Sequence, residues 1–133
     1  MKQKKQEMQR KLKNYRLLQR EAERLEAKIR EAERVRGYKN ARRYQGWTEQ
    51  QMEQLQASTS TRLEEAQRQR REIEEIIYAV EDLQCREILE LKYIDGKTLQ
   101  QIARELCYCE RHAGRLHAKA LEAAVQAAEA QQR

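Results

Sequence analysis

Proline and phenylalanine are absent from the 133 residues, and glycine occurs four times. With so few helix breakers, and a bulk of Glu, Gln, Arg, Lys, Leu and Ala, the chain is expected to be all-α. With no Phe, one Trp and six Tyr, any core must rest on Leu, Ile, Val and Ala. Such a core stays thin unless helices pack along their lengths. No apolar run approaches the roughly 20 residues of a membrane span, so a membrane partner is not expected. The basic start lacks the apolar segment of a secretion signal. Three cysteines, two of them separated by one residue, do not make a disulfide framework. A reducing, cytoplasmic location is expected.

Charge is plentiful instead, at 38% of residues and a net +6. It is unevenly spread. Residues 1–20 hold eight Lys or Arg against one acid, whereas residues 72–90 hold seven acids against Arg86. Local basic patches can attract polyanions, and an acidic block repels them. Most charges on such helices are also simply solvated faces.

Residues 1–36 read as one long, basic amphipathic helix. Met8, Leu12, Tyr15, Leu18, Ala22, Leu25, Ile29, Ala32 and Val35 step by three or four, a sustained heptad-like stripe. Residues 37–61 read as a linker with a short helical piece. Gly37, Asn40 and Gly46 break the pattern, and Tyr38, Arg42, Arg43 and Tyr44 make a basic loop that could touch phosphates. Trp47, Met52 and Leu55 are the apolar side of the short piece. Ala57–Thr61 reads as polar linker, with Ser60 or Thr61 capping the next helix. Residues 62–82 are that second long helix, with Leu63, Ala66, Ile73, Ile77 and Val80 in its stripe, interrupted by Arg70. Leu12, Leu18, Leu25, Ile29, Leu63, Ile73, Ile77 and Val80 are the candidate seam for oligomerisation or a partner. Homodimer formation is expected if the helices pair between chains, and antiparallel pairing within one chain is the rival arrangement.

Residues 83–133 carry the richest signals. Ile88, Leu89, Leu91, Tyr93 and Ile94 form one side of a short helix that Asp95-Gly96 stops. Thr98 is a good N-cap for the next helix, whose core side is Leu99, Ile102, Ala103 and Leu106. Cys107-Tyr108-Cys109 makes a three-residue turn. A last helix starts at Glu110 and buries Ala113, Leu116, Ala120 and Leu121, with a tail from Ala123 expected to fray. Two helices joined this way suggest a helix-turn-helix, which presents its second helix to the major groove.

On that reading Arg111 and Arg115 share a face and suit guanine. Glu110 could accept from a cytosine amino group or orient either arginine. His112, His117 and Lys119 suit phosphates, and Gly114 falls at a contact position. Thr98, with the free amides of Leu99 and Gln100, could hold a phosphate at a helix N-terminus. An ordinary three-helix core with a basic outer face remains the alternative.

No metal or other cofactor is expected. Cys107-x-Cys109 is too tight for the usual zinc pair. His112 and His117, five apart, point about 140° from each other on a helix. With no Gly-rich phosphate loop, nucleophile elbow or Ser/His/Asp set, an enzyme is not expected.

The stretch LKYIDGKTLQQIARELCYCERHAGRLHAKALEA resembles region 4 of sigma-70-type factors. It is more similar to the phage and prophage late-transcription regulators of the ArpU and RinA-like families. Tyr93-Ile94, Gly96, Thr98, Ile102-Ala103, Glu105-Leu106, Tyr108, Arg115-Leu116-His117 and Lys119-Ala120-Leu121 carry the likeness. The resemblance implies base readers at Glu110, Arg111, Gly114 and Arg115, a backbone anchor at Thr98 and Leu99, and His117 and Lys119 on the same face. This chain departs from the pattern in having Cys107 for the turn Gly, Cys109 for the capping Ser, Ala113 for a β-branched core residue and Gly114 at a reader position.

The resemblance implies a sequence-specific, double-stranded DNA-binding regulator of late genes in the cytoplasm of a bacterial host. Its long helices would dimerise it or dock it on RNA polymerase. Two other functions stay open: a non-catalytic protein adaptor that reuses the fold, and a DNA-recognition subunit of a phage packaging terminase.

Overall fold

The computed structural model describes residues 2–36 and 46–132, with the side chains of Val35 and Arg36 left aside. Tyr38, Arg42, Arg43 and Tyr44, the expected basic loop, lie outside the described residues. The protein is all-α. Its helices are α1 (Lys2–Arg36), α2 (Glu49–Ala79), α3 (Leu83–Leu89), α4 (Leu99–Leu106) and α5 (Glu110–Gln131), with a π-helical turn at Glu90–Ile94 after α3. No helix among the described residues is long and apolar enough to cross a membrane. The chain divides into two compact units, Leu18–Gln69 and, from both ends of the sequence, Met1–Leu17 with Arg70–Arg133.

The Leu18–Gln69 unit is an antiparallel pair formed by the second part of α1 and the first part of α2. Gln67 Nε2 donates to Glu26 Oε1 at 3.3 Å, while Ile29 and Ala32 share a groove with Leu55 and Thr59. Ala22, Leu25, Ala32, Met52, Thr59 and Ala66 are buried there. Small residues at four of these positions leave little side chain between the helices.

Residues 57–61 are not a linker, because α2 runs straight through them. Serine and threonine favour turns because their hydroxyls compete for backbone groups. Here Thr59 and Thr61 satisfy those hydroxyls inside the helix, donating to Leu55 O at 2.7 Å and Ala57 O at 3.0 Å. Thr48, rather than Ser60 or Thr61, caps the helix. Its Oγ1 accepts from Gln51 N at 3.2 Å, and its own N–H donates to Gln51 Oε1 at 2.9 Å, a reciprocal capping box.

The other unit holds the larger core. The start of α1 supplies Met8, Leu12 and Tyr15, and the end of α2 supplies Ile73, Ile76 and Ile77, followed by Val80. These pack with Cys85, Ile88 and Leu89 of α3, Tyr93, Ile102 and Ala103, and the inner stripe of α5. Tyr15 Oη donates to Glu74 Oε1 at 2.5 Å; burial first, and this bond second, push its phenol up to about 12. Arg70 interrupts the stripe, and its Nε is buried without a hydrogen-bond partner.

The seam proposed for a second chain is therefore largely covered within one. Leu12, Leu25, Ile73, Ile77 and Val80 are buried, and Leu18, Ile29 and Leu63 are half-buried. Burial of most of the stripe within the chain leaves only the half-buried positions with apolar surface to offer a second copy. The C-terminal tail also differs from expectation. α5 stays helical to Gln131, with Ala124 fully buried. Lys4 Nζ–Glu129 Oε1 at 2.7 Å and Lys5 Nζ–Glu122 Oε1 at 2.9 Å tie it to α1, and Gln131 Nε2 donates to Glu75 O.

Candidate nucleic-acid interface

The segment from Asp82 to Gln131 is built from local signals. Asp82 Oδ1 accepts from Gln84 N and Cys85 N at 2.9 and 3.2 Å and so starts α3. Those backbone bonds, chiefly the one from Cys85, hold its carboxyl below the usual range. α3 widens into the π-helical turn, where Asp95 N donates to Glu90 O at 2.9 Å. Gly96 then takes φ +76°, the left-handed conformation that stops the helix. Thr98 opens α4 with a second capping box, Oγ1 accepting from Gln101 N at 3.2 Å and Gln101 Oε1 accepting from Thr98 N at 3.0 Å.

Between α4 and α5 the chain turns on Cys107, Tyr108 and Cys109. Cys107 has φ 59° and ψ 39°, a left-handed conformation rare for a residue with a side chain. Tyr108 N reaches back to Ala103 O at 2.8 Å. Cys109 Sγ accepts from His112 N at 3.4 Å and is the cap of α5. Cys107 and Cys109 are exposed thiols, and Cys85 is a buried one.

The expected contact residues separate into an open group and a buried one. Thr98, Gln100, Glu110, Arg111, Arg115 and Lys119 are exposed, while Leu99 and Gly114 are half-buried. A Cβ at Gly114 would meet nothing within 4 Å, so the backbone there faces open space. Lys119 Nζ lies 3.7 Å from Asp82 Oδ2. His112 is half-buried, its ring set edge-on to Tyr108 with centroids 4.7 Å apart.

His117 does not belong on this surface. It is buried, and its Nε2 lies 2.6 Å from Tyr93 Oη. The buried positions of α5 are Ala113, Leu116, His117, Ala120, Leu121 and Ala124. His117 is four residues after Ala113 and one turn before Leu121, so the inner stripe includes it. Burial, and then the charges of Lys92, Lys13 and Lys5, lower its pKa to about 4. A neutral ring in the core cannot serve as a phosphate contact.

At 100° per residue, Arg111, Arg115, Glu122, Gln126 and Glu129 point within a sector of roughly 60°. The line is divided between two environments. Arg111 and Arg115 are exposed, whereas Glu122, Gln126 and Glu129 border a small cleft with Lys4 and Lys5. The first turn of α1 therefore lies over the second half of this line and leaves the first half open.

Sequence reasoning passed over Arg16 and Lys92. Arg16 Nη1 donates to Ile94 O at 3.1 Å, and its guanidinium would sit 2.7 Å from a Cβ at Gly96. It is thus fixed beside the turn that leads into Thr98. The basic composition of residues 1–20 was the available signal, but it does not say where those residues dock.

Among the described residues, no group of three or more His, Cys, Asp or Glu side chains is placed to hold a metal ion.

A family model described as "Protein of unknown function (DUF1492)" matches residues 31–124, more than half of the chain. No curated protein and no solved structure matches it.

Proposed function

The chain belongs to the DUF1492 family, and we propose that it is a sequence-specific, double-stranded DNA-binding regulator of phage type that acts on late genes. Leu99–Leu106 and Glu110–Gln131 would act as a helix-turn-helix. The observation that carries this reading is the exposed first half of α5, where Arg111 and Arg115 stand on one open line just after a three-residue turn. Such a helix enters the major groove with its N-terminal turns. A planar guanidinium matches guanine O6 and N7 with two parallel bonds. Glu110 precedes the pair and would accept from a cytosine amino group. Thr98, at the exposed start of α4, would face the backbone, where the free amides of Leu99 and Gln100 attract a phosphate.

A protein adaptor is the second reading, and a specific observation favours it. In the Leu18–Gln69 unit, Trp47 and Leu55 are exposed, and Leu55 borders the groove shared with Ile29, Ala32 and Thr59. That surface suits a protein partner, of which RNA polymerase would be one.

Selection of genomic fragments by the purified protein tests the DNA reading. At least one duplex is expected to be enriched. The double variant Arg111→Glu/Arg115→Glu is expected to bind it at least about 10-fold more weakly, since each bidentate contact is worth roughly 1–3 kcal/mol. If no fragment is enriched, or the double variant binds the enriched one unchanged, α5 does not read DNA and the adaptor reading takes its place.

A further inference from the structure

The basic start of α1 docks beside the surface assigned to DNA, and its cations are not spent alike. Lys4 and Lys5 are paired with Glu129 and Glu122 of α5, and Lys11 lies 3.8 Å from Glu72 of α2. Lys13 is exposed and Lys92 half-buried. Neither has a carboxylate within ion-pair distance among the described residues.

Lys13 and Arg16 share a flank of α1. At 100° per residue Lys2, Lys13 and Arg16 fall within roughly 60° of one another, and Lys11 points about 160° away from Lys13. Arg16 anchors that flank to Ile94 O and Gly96, two to four residues before Thr98. Lys92 stands in the same π-helical turn, its Nζ 5.7 Å from the Tyr93 ring centroid. Burial first, and the charge of Lys13 next, lower the Lys92 pKa, so the two ammonium groups feel each other. The nearby acids gather elsewhere: Glu90, Glu74 and Asp95 act on Tyr78, whose phenol they raise after burial has done so.

Like charges held together without a carboxylate are destabilising unless an anion joins them. The position says which anion. Arg16 holds the Lys13 flank against Ile94 and Gly96, just before Thr98, the residue assigned to the phosphate backbone. The major groove is roughly 12 Å wide, with phosphates along both rims.

We propose that the first half of α1 is a second, sequence-independent DNA contact, in which Lys13 and Lys92, with Arg16 beside them, hold phosphates flanking the groove that α5 enters. This rests on the reading of α5 as a DNA-binding helix. It gives the N-terminal helix a task apart from dimerisation. It also makes the contact surface composite, drawn from two segments nearly 80 residues apart in the chain (Arg16 and Ile94 are separated by 78).

The salt dependence of duplex binding by the full-length protein tests it. Each phosphate contact contributes roughly 0.9 to the slope of log Kobs against log salt. Lys13→Gln is therefore expected to lower the slope by about 0.9, and Lys13→Gln/Lys92→Gln by nearly twice that. Both variants should weaken an enriched fragment and a random duplex by the same factor. Arg111→Gln/Arg115→Gln should instead erase the preference between the two duplexes. Lys11→Gln, on the opposite flank, should leave the slope unchanged. Wild-type binding with an unaltered slope in Lys13→Gln overturns this contact and leaves the α5 reading standing, as does an equal loss in Lys11→Gln. A wild-type protein that binds no duplex overturns both.

Discussion

Tyr93 Oη and His117 Nε2 meet at 2.6 Å in the core, between the π-helical turn and α5. Burial pushes the Tyr93 phenol up to about 12 and the His117 ring down to about 4. Both groups are thus neutral over the physiological range, and the phenol can donate to an unprotonated Nε2. The unfolded chain binds a proton at His117 near its ordinary value of 6.5, while the folded chain does not until about pH 4. The stability held by the neutral ring is therefore complete above pH 6.5, drains away as pH falls toward 4, and changes no further below that. The loss should be on the order of 2–3 kcal/mol. Urea unfolding at closely spaced pH values checks it. His117→Leu should flatten the profile across this window, and a profile that keeps its slope in the variant assigns the effect to other groups.

Cys107 sits at φ 59°, where glycine is free of strain and other residues lose about 1–2 kcal/mol. Cys107→Gly should recover about half to all of this strain, less the added freedom of the unfolded chain. Cys109→Ser should add a further gain of up to about 1 kcal/mol by giving α5 a stronger cap than sulfur. The midpoint of urea unfolding should rise for each and nearly add for both. Gly96→Ala should move the other way, because its φ of +76° is kept and its Cβ would strike Arg16. Equal midpoints for the wild type and all four variants would show that these turns are not held as described.

Local chemistry made some of this legible in the sequence. Asp95-Gly96 and Thr98 announce a stop and a start, because left-handed φ and a capping oxygen are needs of single residues. The spacing of Ile102, Ala103, Leu116 and Ala120 likewise follows from the helical period alone. Long-range packing hid the rest. Ala57–Thr61 has the composition of a linker, yet α2 continues through it, with Thr59 buried and its hydroxyl satisfied at Leu55 O. His117 was placed by its polar type, although its four-residue step from Ala113 already put it in the buried stripe. No local pattern could bring Arg16 to Ile94.

The continuity of α2 through residue 61 has a direct consequence. Thr61 is exposed, so its side chain contributes little packing. Thr61→Pro should nonetheless cost about 3 kcal/mol, because proline in a helix interior removes a backbone bond and clashes with the preceding turn. Circular dichroism should show lost helix, and thermal unfolding a lower midpoint. Thr61→Ala, which keeps the helix, should be within about 0.5 kcal/mol of wild type. A proline variant as stable as the alanine variant would mean that this stretch behaves as a linker after all.

Ala124 decides whether the end of α5 is structure or tail. It is fully buried, whereas Ala130, six residues on, is exposed. A charge at Ala124 would have to be buried among apolar neighbours or expelled by peeling the last turns of α5 away from α1. Either route should cost about 3 kcal/mol or more for Ala124→Asp, through overpacking and an unpaired charge. At Ala130 the same substitution meets solvent and should change stability by less than about 0.5 kcal/mol. Because Lys4 and Lys5 reach α5 at Glu129 and Glu122, peeling would also release the start of α1. Amide exchange in residues 2–12 should then quicken in Ala124→Asp and stay slow in Ala130→Asp. Two variants of equal stability and equal exchange would return the segment after Ala123 to the frayed tail its Ala- and Gln-rich composition suggests.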